Sequence, residues 1–138
     1  MKQISRDEVK KIFKKRKKLR IPPEFDDIDF GSLYYYSWYD AVDRCIYMLF
    51  DYDDKVDGIV WETEFFSQGD IRKGRCEICQ KTVELRDMVL VTSKTKFRRK
   101  GVTYVVRGNY ICSDHKSCNE KMDDTEGLDK LVKLIYID

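Results

Sequence analysis

Four of the five cysteines stand in two close pairs. The first pair is Cys76-Glu77-Ile78-Cys79, and the second lies within Cys112-Ser113-Asp114-His115-Lys116-Ser117-Cys118. Two cysteines three positions apart can close a tight loop around one metal with both thiolates on its concave side. A second pair carried over by a β-hairpin then completes a tetrahedron, the geometry Zn²⁺ takes in closed structural sites. A redox reading of Cys-x-x-Cys would need a βαβ setting and leaves the second pair without a role. With no secretion signal and no long apolar run, the expected setting is a reducing cytoplasm, where disulfides do not persist. Zinc held by Cys76, Cys79, Cys112 and Cys118 is the expected chemistry.

The fourth position has a competitor. His115 is the only histidine, and Cys112-x-x-His115 repeats the spacing of the first pair. Imidazole binds zinc well, but a thiolate is the stronger donor. The five-residue gap before Cys118 also lets the chain leave a strand and enter a helix before it returns to the metal. Cys118 is therefore the expected ligand, with His115 nearby on the surface or behind the metal's own ligands.

Two elements must bring the pairs together. Residues 82–92 and 101–111 are rich in Val, Tyr, Leu and Ile, and a basic stretch follows the first of them over 93–100. This predicts a treble clef over about 72–122: a cysteine knuckle, a hairpin, then a short helix whose first turn carries the last ligand. The hairpin's Lys94, Lys96, Phe97, Arg98, Arg99, Lys100, Tyr104 and Arg107 interleave cations with aromatics, the composition of a partner-binding surface.

The same residues carry a family resemblance. Cys76-x-x-Cys79, Arg107-Gly108-Asn109-Tyr110-Ile111-Cys112, Asp114 and Cys118-Asn119 together resemble the carboxy-terminal treble-clef domain of the FusB-type proteins. The resemblance covers about residues 19–138. It implies four cysteine ligands at these motif positions. It also implies a partner, elongation factor G, whose release from drug-stalled ribosomes such proteins promote, conferring fusidic acid resistance. Members also have a helical amino-terminal domain, where this chain has room for one short helix.

The rest of the chain sorts by charge. It is 42% hydrophobic and 38% charged with a net charge of +2, which suits a soluble globular protein. Residues 1–20 contain ten basic and two acidic groups, whereas residues 21–70 contain two and thirteen. Such segregation bears on partners rather than on fold. A basic helix is expected over 5–19, with Ser5 and Glu8 at capping-box spacing and Val9, Ile12 and Phe13 as its apolar stripe. Its lysines would face RNA phosphates, an acidic protein or only solvent. Ile21-Pro22-Pro23 ends it, and residues 24–31 read as an acidic connector. Strands are expected at 33–39, 44–50 and 57–65 as an antiparallel meander, with a buried helix over 41–50 as the alternative to the second. Tyr34, Tyr35, Tyr36, Trp38 and Tyr39 read as sheet-filling aromatics rather than a base-stacking platform, and Cys45 as a small buried hydrophobe. Asp53, Asp57, Gly58 and Glu64 match places in a calcium loop, but Lys55 puts a cation where a ligand oxygen is needed. A final helix, capped by Asp124 or Thr125, should bury Leu128, Leu131, Val132 and Ile135, with Gly127 weakening its first turn.

The expected fold class is therefore α+β: an antiparallel meander with a treble-clef zinc subdomain and flanking helices. Its expected organisation is a basic helix over 1–20 and one zinc-binding domain over 21–138. No catalytic set is visible. A zinc saturated by cysteines has no open position for water, and no phosphate-cradling Gly-Lys-Ser/Thr loop is present. The function expected is protein binding, on elongation factor G by resemblance, with the ribosome or RNA as a further partner. A nucleic-acid-binding zinc protein is the alternative. Neither a membrane nor a small-molecule substrate is expected.

Overall fold

The computed structural model describes residues 1–93, 96–99, 102–105 and 108–134, with 96–99 and 102–105 described as strand backbone. The chain divides into two compact units, Met1–Val60 and Trp61–Asp138.

The first unit opens with α1 (Arg6–Ile12). Ser5 and Glu8 form the expected capping box: the Ser5 hydroxyl accepts from the Glu8 amide at 3.2 Å, and Glu8 Oε1 accepts from the Ser5 amide at 3.3 Å. The helix stops well short of residue 19. Beyond Phe13 every residue through Lys18 is basic, so continuing would stack like charges three and four apart with no apolar side chain to bury. The chain instead turns, with the Arg16 amide on the Phe13 carbonyl at 2.9 Å.

The expected acidic connector is more structured than its composition suggests. Two short 3₁₀ turns, Pro23–Asp27 and Phe30–Ser32, each bury one phenylalanine, Phe25 and Phe30. Then come β1 (Tyr35–Asp40), β2 (Cys45–Tyr52) and β3 (Lys55–Phe65), and within this unit β2 lies between β1 and β3 as the expected meander. Residues 45–52 are strand, so the helical alternative for this stretch does not form. Asp53 and Asp54, both at positive φ, make the two-residue turn between β2 and β3. Short polar side chains tolerate that conformation, which twists the hairpin correctly. The calcium-loop stretch 53–64 is thus this turn plus β3 rather than a loop between helices.

The unit's core is aromatic. Val9, Phe13, Phe25, Phe30, Tyr36, Trp38, Cys45, Tyr47 and Leu49 form one buried cluster. Trp38 stacks on its cross-strand neighbour Tyr47 at 5.1 Å, and Phe13 meets Tyr47 edge-on at 5.1 Å. Tyr35, Tyr36 and Trp38 are buried, which bears out the sheet-filling reading, while Tyr34 and Tyr39 are exposed. Asp40 closes the β1–β2 loop, accepting from the amides of Val42 and Asp43 and from Arg20 at 2.8 Å. Burial works against its charge, but these donors outweigh burial and hold its carboxyl below the usual carboxylate range.

In the second unit β4 (Lys73–Arg75) and β5 (Thr82–Glu84) form a small hairpin. The end of β3 pairs with β6 (Met88–Ser93), Trp61 opposite Ser93 and Phe65 opposite Val89. β7 (Lys96–Arg99) and β8 (Val102–Val105) pair as a second hairpin, and β9 (Asn109–Cys112) returns alongside β6. Two helices follow, α2 (His115–Lys121) and α3 (Glu126–Lys133). Leu128, Leu131 and Val132 of α3 are buried as expected, whereas Ile135 lies outside the described residues. Among the described residues no helix is long and apolar enough to cross a membrane.

Candidate metal centre

The knuckle is built by the β4–β5 hairpin, which places residues 76–81 at its tip. The Cys76 amide donates to the Lys81 carbonyl at 3.0 Å and the Gln80 amide to the Cys76 carbonyl at 2.8 Å. Gln80 takes φ 62°, the left-handed turn that brings the chain back after Cys79. The Glu77 amide donates to the Tyr110 carbonyl at 2.9 Å, tying the knuckle to β9 two residues before Cys112.

The last cysteine arrives on α2. The strand ends at Cys112, and Ser113 anchors the bend through its amide and hydroxyl on the Asp87 carbonyl, at 2.9 and 3.1 Å. Asp114 caps α2 through the Lys116 amide at 3.0 Å. The Cys118 amide then makes the helix's opening hydrogen bond, to the Asp114 carbonyl at 3.1 Å. The five-residue gap is thus spent on one bend and one helical turn.

Cys76, Cys79, Cys112 and Cys118 are all buried, and their sulfurs lie within 4.8 Å of one another. The Cys76 and Cys118 sulfurs stand 3.7 Å apart and those of Cys79 and Cys112 3.8 Å. Thiolates about 2.3 Å from a tetrahedral zinc stand about 3.8 Å from each other, so the spacing fits that ion. It is too wide for disulfides, whose sulfurs are about 2.05 Å apart, and none of the five cysteines is disulfide-bonded. The amides of Cys112 and Cys79 point at the Cys76 sulfur, at 3.3 and 3.4 Å, as donors that favour a thiolate. Hydrogen bonds from Cys112 and then Cys118 pull the Cys76 thiol far down against the cost of burial. Its neighbours Cys118 and Cys76 push Cys112 the other way. Four packed sulfurs can all be ionised only if a cation sits among them. His115, the competing ligand, is outside this group; it starts α2 and its carbonyl accepts from Asn119 Nδ2 at 2.7 Å.

Gly127, expected only to weaken α3, has a positive role. A Cβ built there would stand 2.2 Å from the Glu77 carbonyl oxygen and 2.5 Å from that of Ile78. The first turn of α3 therefore rests on the backbone of the knuckle, an approach that only glycine allows. Lys81 and Asp123 add an ion pair at 2.6 Å. Nothing in the periodicity of α3 signals this contact, because it is made by a missing side chain.

The expected partner-binding residues divide. Lys96, Phe97, Arg98 and Arg99 lie on β7 and Tyr104 on β8, with Phe97 directly opposite Tyr104. Lys94, Lys100 and Arg107 lie outside the described residues.

Comparison with known proteins places this architecture. Residues 8–130 match the profile of the FBP C-terminal treble-clef zinc-finger family. Among solved structures, that of the fusidic acid resistance protein FusC superposes with a TM-score of 0.73 at 31% identity, over 99% of this chain. The chain corresponds to 59% of the FusC chain's length. No curated protein matches significantly.

Proposed function

The chain belongs to the FusB-type family through its FBP C-terminal treble-clef zinc-finger domain, and we propose that it is a zinc-stabilised module that docks on elongation factor G. Cys76, Cys79, Cys112 and Cys118 hold the zinc. The observation that carries this reading is the likeness of nearly the whole chain to part of a fusidic acid resistance protein, with the four sulfurs at zinc spacing inside it. Zinc bound there would supply charge to hold four thiolates together and nothing more, since a saturated site has no place for substrate or water. The chain accordingly acts by binding, not by catalysis.

The hairpin stands in the chain after β6 and before β9, which Cys112 closes. A preorganised hairpin would present side chains with little ordering cost on association. Residues 94–100, with Tyr104 and Arg107, form the partner-facing surface in this reading; Phe97 and Tyr104 would be the aromatic anchors, with Arg98, Arg99 and Arg107 as the charged contacts. A ligand shifts a conformational equilibrium only by its differential affinity, so the module would promote release from the ribosome by preferring the free form of the factor.

The test is the variant Arg98→Ala/Arg99→Ala/Lys100→Ala, assayed for binding to elongation factor G by calorimetry. Zinc content and melting temperature should be unchanged while affinity falls at least tenfold, the loss expected from about 1.4 kcal/mol. Unchanged affinity in the folded variant would remove the hairpin from the interface.

A further inference from the structure

The basic amino-terminal segment separates into two populations. Arg6 pairs with Asp26 at 2.9 Å, Arg16 with Asp43 at 3.7 Å, and Arg20 with Asp40 at 2.8 Å and with Asp43 at 3.5 Å. Arg16 also donates to the Tyr47 hydroxyl at 3.1 Å. The arginines are thus bound to the acidic stretch that follows them. Lys10, Lys11, Lys14, Lys15, Lys17 and Lys18 are all exposed, and none forms an ion pair with another described residue. Six unneutralised cations therefore stand within nine residues.

These cations are not on a loose tail. Val9 and Phe13, on the same segment, are buried in the aromatic core. At its far end the Arg20 carbonyl accepts from the Trp38 indole at 3.0 Å. Between those anchors Arg16 is pinned by Tyr47 and Asp43. Lys15, Lys17 and Lys18, with Arg16, line a shallow depression whose single carboxylate, Asp43, is already engaged by two arginines. Mutual repulsion of six lysines costs stability unless something outside the chain relieves it.

We propose that this lysine face is a docking surface for the phosphate backbone of RNA. A protein partner would need about six carboxylates crowded into the same small area, where they would repel each other in turn. A nucleic-acid duplex supplies such a row by its covalent structure, about one charge per 1.7 Å of axis. Lysines suit it as point charges that need no bidentate geometry, so the contact reads backbone and not sequence. The preference for RNA over DNA rests on the proposed role in translation; the electrostatic argument does not.

The experiment measures fluorescence anisotropy of a labelled RNA hairpin with the zinc-loaded full chain, across a salt series and without elongation factor G. Its failure would thus leave the partner reading untouched, and failure of that reading would leave this one standing. Polyglutamate and a DNA duplex of equal length are competitors. Wild type should bind with log K falling against log salt at a slope of about −3.6 to −5.4, as four to six phosphate contacts require. The six-lysine-to-glutamine variant should lose at least tenfold in affinity and most of the slope, with its zinc content kept and its melting temperature equal to or above that of the wild type. A variant with only Lys14, Lys15 and Lys17 changed to Gln should fall between. Absent RNA binding, equal binding by the six-site variant, or tighter binding of polyglutamate or DNA than of RNA would each overturn the proposal.

Discussion

The two units solve the problem of a small core differently. Residues 1–60 bury an aromatic cluster, with Phe13, Phe25, Phe30, Tyr36, Trp38 and Tyr47 in ring-to-ring contact. Residues 61–138 include a region, from the knuckle to α2, where short strands and a two-turn helix converge on four sulfurs. Dispersion and burial are spread over many contacts, so losing one is costly but local. A metal centre concentrates the same task in a single point, and losing one ligand releases every element tied to it.

Zinc removal should separate the units most sharply. Cys118→Ser, or a strong chelator, removes binding worth roughly 10–16 kcal/mol in zinc-finger peptides and should unfold residues 76–118. His115→Ala should keep one zinc per chain. The two tryptophans make the readout direct, because Trp38 lies in one unit and Trp61 in the other. With Trp61 changed to Phe, the Trp38 emission should respond far less to chelation than the circular dichroism of the whole chain.

Phe13→Ala is the converse perturbation. It removes the ring packed edge-on against the stacked Trp38 and Tyr47 and should cost about 3–5 kcal/mol, with zinc stoichiometry unchanged. Loss of zinc in this variant would erase the distinction between the units.

These expectations rest on features of unequal legibility. The metal centre is readable because its chemistry needs particular residue types at short range: Cys76 and Cys79 announce a knuckle once Cys112 and Cys118 are set beside them. The meander is readable from Tyr35 to Phe65 because aromatic and β-branched runs alternate with Asp-rich turns. α1 ends far short of the expected 5–19, since capping and periodicity mark where a helix can start but not where accumulated like charge stops it. Phe25 and Phe30 were hidden inside a stretch that reads as acidic connector, where 3₁₀ turns give no period to detect. Gly127 has a second role that its own helix does not reveal: intrinsic propensity counts it as a weak helix former, whereas its close contact lies 50 residues away in sequence, with Glu77.

A finer break lies at that contact. Gly127→Ala places a methyl group against two carbonyls and should cost about 1–3 kcal/mol, the usual penalty of overpacking. Its signature is faster zinc release to a chromogenic chelator, with the Trp38 signal unmoved. Slower or equal release would show that α3 does not brace the knuckle.

The smallest effect is confined to the first unit. Asp40 is held below its ordinary carboxylate range, so its contribution is complete above about pH 4 and lost as pH falls through the lower folded value. Asp40→Asn should remove that acid sensitivity at a cost of about 1 kcal/mol at neutral pH, measured as a urea midpoint shift. An unchanged pH profile would mean the loop does not depend on this charge.

The central claim is that a zinc-held module recognises elongation factor G. Size-exclusion chromatography of the zinc-loaded chain with the purified factor, after ribonuclease treatment, tests it without an intermediary. Co-elution as a stoichiometric complex, lost when the zinc is stripped, is the predicted result. Separate elution of two correctly folded proteins at concentrations of tens of micromolar would contradict it.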